Sequence, residues 1–409
     1  MSLPLITNPN TEGLSQQHIV LMAVSSMLEQ AQSDYNLGNL DQSLDLYEKV
    51  LDVATTNIGR DNLYVATAQE QIANIHAIEK SWQLAFDGYF AALRTTMATV
   101  GHNHIQSASI LNKIGSVCCN LHDYDGAISA FKEGLSILRV IVPLHDPKIV
   151  AAVHNIARAH FEKGDAAKAL ELYGHSLSIQ RSFDRRDLLH EASTHSLIGH
   201  IQYQLGNCDH AIQAHEESIS LRIQILGENH YDVSSALYAL GTIHFREQVF
   251  DLALARFSDC LSVRRSLSSC STHDIAAVLC NIAAIYIETG EPVLAKEHYK
   301  EAIIVERSSE TEGHTTIVRC LHNIGLIHQN LNELDLAIKC AEEAAQHSVM
   351  DSSLPIPYVI QLLKWTANLY LEKGDVQKAQ QSFDKVFQLD GGKEPLMSIK
   401  PTVTSARAA

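Results

Sequence analysis

The chain has 409 residues, of which 46% are hydrophobic, 19% charged and 6% aromatic, and 31 Lys and Arg against 47 Asp and Glu leave a net charge of −16. One compact core stops growing at about 250–300 residues, so this length requires several domains or a repeat array that grows by stacking. Acidic surfaces repel phosphate backbones, which excludes nucleic acid as an expected partner, and no apolar run reaches the roughly 18 residues needed to span a membrane.

Taken in chain order, residues 1–13 carry Pro4, Pro9 and Gly13 and read as a disordered tail. The first basic side chain is Lys49. Secretory and mitochondrial leaders need early positive charge, so a cytoplasmic location is expected, with the nucleus also open. Eight cysteines with no CxxC pair fit reduced thiols there.

From residue 14 to 390 the chain repeats itself every 42 residues. One column reads Ala31, Ala73, Gly115, Ala157, Gly199, Gly241, Ala283, Gly325 and Ala367. Twelve residues on, a second reads Ser43, Ala85, Ala127, Ala169, Ala211, Ala253, Ala295, Ala337 and Ala379. A third is aromatic at seven of nine places: Tyr47, Tyr89, Phe131, Tyr173, Phe257, Tyr299 and Phe383, with His215 and Ala341 the exceptions. Small residues let two helices cross closely, and the aromatic fills the wedge beyond the crossing. Between the small columns stand Gly38, Gly164, Gly206, Gly290 and Gly374, suited to the left-handed conformation that ends a helix. Each unit is therefore helix, tight turn, helix. The predicted fold is all-α: a right-handed α-solenoid of nine helix-turn-helix repeats over 14–390. The last segment, 391–409, has two glycines, two prolines and no apolar period, and is expected to be a second disordered tail.

These columns resemble the tetratricopeptide repeat, whose usual period is 34. A period of 42 resembles its kinesin light chain branch, as do the stretches VHNIARAHFEKG (153–164), LCNIAAIYIETG (279–290) and LHNIGLIHQNL (321–331) and the loop LGENHYDV (226–233). The resemblance runs over about residues 24–390. It implies a superhelix whose first helices line a concave face, and a scaffold or adaptor that binds a protein or peptide partner.

No catalytic motif stands out: there is no GxxxxGK[ST], GxSxG, HExxH or calcium-loop pattern. The expectation is therefore no enzyme activity, no cofactor and no metal. Of 22 histidines, His76, His160, His244 and His328 share a column in alternate repeats. Two repeats separate each from the next, on the order of 20 Å at helix spacings of 8–10 Å, whereas metal ligands sit about 2 Å from the ion. Half-buried packing rings are expected. The loop histidines His104, His145, His230, His273 and His314 are expected to cap helices or pack in the loops. Cys280 and Cys320 fall in first helices and read as buried thiols.

One column carries recognition chemistry. Asn155, Asn281 and Asn323 occupy the same place on first helices. A carboxamide both donates and accepts, which suits it to clamp an extended peptide backbone, and similar asparagines hold the cargo peptide in the family resembled. The alternative is that they bond neighbouring helices inside the stack. Cutting the first helices of repeats three to eight at fourteen residues each leaves Lys113, Arg158, Lys163, Arg246 and Arg319 against Glu162, Glu247 and Glu288. That basic excess points to an acidic partner segment. The predicted peptide-binding set is Asn155, Asn281, Asn323, Arg158, Arg246, Arg319, Lys113 and Tyr238. Two other readings compete: a structural subunit of a larger complex without a free groove, and a regulatory partner of an enzyme. Nothing in the sequence assigns an oligomeric state.

Overall fold

The structure, a computed structural model, describes residues 16–183, 186–309, 314–350 and 354–390. Both expected tails, 1–13 and 391–409, lie outside the described residues. Among these residues there are eighteen helices and no strand, and no helix is long and apolar enough to cross a membrane.

The chain divides into two compact units, described separately here. The unit ending at Leu205 holds α1 (Gln16–Asn36), α2 (Leu40–Asn57), α3 (Leu63–Ile78), α4 (Trp82–Val100), α5 (Ile105–Asn120), α6 (Tyr124–Ile141), α7 (Pro147–Glu162), α8 (Ala166–Arg181) and α9 (Leu188–Gln204). The unit from Gly206 holds α10 (Cys208–Leu226), α11 (Tyr231–Arg246), α12 (Phe250–Ser266), α13 (Thr272–Glu288), α14 (Pro292–Arg307), α15 (His314–Asn330), α16 (Leu334–Met350), α17 (Ile356–Lys373) and α18 (Val376–Leu389). Odd-numbered helices are the first helices of their repeats. Within each unit a first helix packs on the second helix that follows, and each second helix packs on the next first helix.

The columns behave as close-packing demands. Ala31, Ala73, Ala157, Ala283 and Ala367 are fully buried, as are Ser43, Ala85, Ala127, Ala169, Ala253, Ala295 and Ala337 opposite. Glycine appears in the first column where a ring lies directly on the helix. A Cβ on Gly115 would stand 2.5 Å from the Phe131 ring, and one on Gly241 would stand 2.9 Å from Phe257. Repeat eight has Ala341 in place of the aromatic. There Trp365 of the next first helix covers the backbone instead, and a Cβ on Gly325 would stand 2.5 Å from its ring.

Nine inter-helix turns among the described residues place one residue at positive φ, in register: Gly38, Lys80, His122, Gly164, Gly206, Gln248, Gly290, Asn332 and Gly374. The five glycines are those expected from the sequence. Lys80, His122, Gln248 and Asn332 adopt φ of 58–60° despite their Cβ atoms, because the turn between two close-packed helices has no other short path. Caps are set by side chains: Asp123, Asp165 and Asp375 accept from the N–H three residues on. His104 and His230 accept through Nδ1 from Gln106 N and Asp232 N. Those two loop histidines are thus the expected caps, while His273 and His314 lie inside α13 and α15.

The histidine column is a packing column. His244 and His328 are buried, and His160 Nδ1 stands 3.3 Å from Asp165 and His76 Nδ1 3.5 Å from Glu79, at the ends of their own helices. Among the described residues no group of three or more His, Cys, Asp or Glu is placed to hold a metal.

Candidate functional site

First helices of consecutive repeats run side by side, and their side chains meet at sequence separations one helical turn apart. Lys113 Nζ lies 2.7 Å from Glu70 Oε1, a separation of 43, and 2.9 Å from Asn74 Oδ1, a separation of 39. Asn155 Nδ2 donates to Asn112 Oδ1 at 2.7 Å and Asn281 Nδ2 donates to the Tyr238 hydroxyl at 2.8 Å, both across 43 residues. Cys280 and Cys320 touch across 40, and the His322 and Trp365 rings stand 4.7 Å apart, also across 43. The second helix of the earlier repeat forms the floor beneath each such seam, and the chemistry of seam and floor changes from repeat to repeat.

Between α5 and α7 the seam opens into a cleft of about 330 Å³, at the lower end of the size range of small-ligand sites. Ile105, Ala108 and Ser109 of α5 and Ala151 and Ala152 of α7 wall it, and Phe131, Gly134, Leu135 and Leu138 of α6 floor it. Gly134 gives it depth: the corresponding residues in other repeats include Ala92, Cys260 and Ala302. The Asn112–Asn155 pair closes one rim and Lys148 stands at another. An apolar pocket edged by carboxamides can take an aliphatic or aromatic side chain while meeting the polar backbone that carries it.

The next seam, between α7 and α9, is filled. His154 Nε2 lies 3.1 Å from Thr194 Oγ1, which accepts from Gln180 Nε2 at 3.0 Å, and the His154 ring stacks on His190 at 4.8 Å. Burial, with His190 beside it, lowers His154 to about 4. Between α11 and α13 the floor residue is Arg264, 5% exposed. It donates to the Asp274 carbonyl at 2.6 Å and lies 5.1 Å over the Tyr238 ring.

The predicted residues are therefore dispersed along several seams. Lys113 has its charge met by Glu70 and lies 5.7 Å over the Tyr89 ring. Arg158 is exposed and pairs with Glu162 on its own helix at 3.7 Å. Arg246 is exposed in the last turn of α11. Arg319 is exposed on α15 and forms no ion pair among the described residues. Asn323 is half-buried on α15, and burial holds the nearby Tyr299 well above the usual phenol range. Asn155, Asn281 and Tyr238 all engage in bonds between first helices, the arrangement weighed as the alternative for this column.

The basic excess does not survive the true helix bounds. Over α5, α7, α9, α11, α13 and α15 the basic residues are Lys113, Lys148, Arg158, Arg246 and Arg319, and the acidic ones Glu162, Glu191, Asp232, Asp274 and Glu288. The first turns add carboxylates, which helix N-termini favour, and Lys163 and Glu247 fall just outside. The first helices of repeats three to eight thus carry no net charge in a chain of −16.

Three features escaped the sequence reading: the cleft at Gly134, Arg264, and the contact between Cys280 and Cys320. All arise from separations of 39, 40 or 43, or from second-helix floors, whereas the repeat period is 42.

The chain was compared with known proteins. The family model described as Tetratricopeptide repeat matches residues 64–139, 148–224, 190–266 and 274–347. No curated protein sequence matches. Among solved structures, BtubC (BKLC) from P. vanneervenii is similar at 16% identity and a TM-score of 0.43, covering 70% of this chain and 99% of that one. The C-terminal part of a TPR repeat-containing protein from Cytophaga hutchinsonii is similar at 16% identity and 0.49, covering 72% and 99%. A Podosopora anserina putative kinesin light chain with nearly identical TPR-like repeats is similar at 15% and 0.45, covering 49% and 96%. With the family's model matched over more than half its length, and with the helix pairs, small columns and left-handed turns in register, this chain belongs to the tetratricopeptide repeat family.

Proposed function

We propose that the chain is a scaffold or adaptor that binds an extended segment or a helix of a partner protein along its first helices. Tetratricopeptide repeat proteins generally mediate protein–protein interactions and are typically non-enzymatic. The observation that carries the finer reading is the open α5–α7 cleft, apolar within and edged by Asn112 and Asn155. It accepts one apolar side chain of the partner, and the carboxamide rim meets the adjoining backbone. Asn281, Asn323 and Tyr238 extend the same kind of polar row in the second unit, where Arg319 is the exposed cation for an acidic side chain. With the first helices of repeats three to eight balanced in charge, acid preference in the partner is a local matter of Arg319, Arg246, Arg158 and Lys148.

The test is selection of a displayed random-peptide library on the full chain, followed by titration of the winners against Ser109→Trp. Ser109 is exposed at the cleft wall, so the indole covers the cleft without entering the core. Binding is expected to weaken tenfold or more with helicity unchanged. Peptides that bind wild type and variant equally would place recognition elsewhere.

A second reading has its own observation. Leu252, Leu294 and Leu336 occupy one column on α12, α14 and α16 and are 45%, 38% and 46% exposed. Such a row favours a subunit whose second helices are covered by another protein.

A further inference from the structure

We propose that Cys280 and Cys320 are a peroxide-sensitive dithiol that closes into a reversible disulfide between α13 and α15. This inference goes beyond the proposed function and stands without it. The two Sγ atoms lie 3.3 Å apart, about 1.3 Å beyond a covalent S–S bond, on adjacent first helices that touch each other directly. Closing that gap of about 1.3 Å is all that bond formation asks of the two sulfurs.

The surroundings assign the two sulfurs different roles. Cys320 is fully buried, whereas Cys280 is partly exposed in the seam. The hydrogen bond from Cys320 holds the Cys280 thiol down, against its burial, and the Arg319 charge adds to this. The same bond, with burial, pushes Cys320 up. Cys280 is thus the accessible, more readily ionised thiol that meets the oxidant first, and Cys320 is the resolving partner already in contact. Tyr299, Glu306 and Tyr358 are the other titratable groups facing the pair.

The oxidant is hydrogen peroxide, which meets Cys280 where it is partly exposed in the seam. The Cys280 thiolate attacks one peroxide oxygen, forming the sulfenic acid, and the hydroxide released takes up the proton that Cys280 gave up, leaving as water. Cys320 sulfur then attacks the Cys280 sulfur. The S–O bond breaks, and the hydroxyl leaves with the Cys320 proton as a second water. Two thiols are oxidised to one disulfide and one peroxide is reduced to two waters. The bridge ties the two helices beside Asn281 and one turn from Asn323, fixing the width of that seam.

The experiment uses the full chain carrying Cys270→Ser, so that tryptic peptide 266–296 holds Cys280 as its one thiol; peptide 320–339 holds only Cys320. Reduced protein is treated with hydrogen peroxide, denatured with an alkylating reagent, digested and weighed. The expected product is the two peptides joined with loss of two hydrogens, restored to the alkylated pair by dithiothreitol. In Cys320→Ser, Cys280 should instead accumulate as a sulfenic acid trapped by dimedone. Full alkylation of both cysteines after peroxide, or joining of either to a different cysteine, would overturn the proposal. So would a Cys320→Ser protein in which Cys280 stays unreacted.

Discussion

Two glycines in one helix pair should respond in opposite directions to the same methyl group. Gly115, inside α5, has the Phe131 ring on its face: an added Cβ would meet three ring atoms at 2.5, 2.7 and 2.8 Å. Carbon atoms prefer about 3.5–4.0 Å, and Phe131 is only 1% exposed, so the ring cannot retreat toward solvent. Overpacking of this kind costs about 1–3 kcal/mol, against a gain of about 0.8–1 kcal/mol from replacing a mid-helix glycine with alanine. Gly115→Ala should therefore destabilise its repeat, by up to about 2 kcal/mol. Gly134, inside α6, has its nearest atoms at 3.4 and 3.6 Å; there the propensity gain wins and Gly134→Ala should stabilise by about 0.5–1 kcal/mol. Gly174 in α8 meets nothing within 4 Å and serves as the reference for propensity alone. Because repeat arrays open locally, the assay is amide hydrogen exchange followed peptide by peptide. Exchange across α5 and α6 should quicken by roughly tenfold in Gly115→Ala and slow by a few-fold in Gly134→Ala, since about 1.4 kcal/mol is tenfold. If Gly115→Ala instead slowed exchange as Gly174→Ala does, the account of the small column as room for the aromatic ring would be wrong.

Other outcomes follow from the same structure. Gln248→Gly should stabilise by about 1 kcal/mol, since Gln248 sits at φ 59° and left-handed backbone costs a side chain about 1–2 kcal/mol; urea unfolding followed by ellipticity measures it, and Gly164→Ala should move the other way. His154 titrates near 4 in the fold and near 6.5 when unfolded. The unfolded chain thus takes up its proton first as pH falls, so stability is full above about 6.5 and declines toward 4, by up to about 3 kcal/mol. His154→Gln should flatten thermal melts over that window, and an unchanged slope would refute the assignment. Asn281→Ala and Tyr238→Phe should each cost about 0.5–1.5 kcal/mol, and their double mutant should cost less than the sum, because both remove one bond; additive melts would show the two side chains act independently.

Local chemistry decided what was legible in the sequence. A small residue recurring every 42 positions, a second small column twelve residues on and a ring four beyond that constrain one helix pair completely, since close crossing needs the small side chains and the wedge needs the ring. Helix, turn and pairing were therefore visible at Ala31, Ser43 and Tyr47 as clearly as at Ala283, Ala295 and Tyr299. Even the turns lacking glycine, at Lys80 and Gln248, fall in register, though nothing in those residue types announces a left-handed backbone. The neighbouring repeat is a different matter. A first helix meets the next one at offsets of 39, 40 and 43, set by the rotation between stacked pairs, and a self-alignment at 42 does not contain that rotation. Hence Asn281 was seen beside Asn323 in a column, while its actual partner is Tyr238. Cys280 and Cys320 read as two separate buried thiols although their sulfurs touch. The cleft between α5 and α7 also depended on packing: Gly134 is one more small residue in the sequence, and only the placement of α6 beneath two first helices turns its missing side chain into an opening.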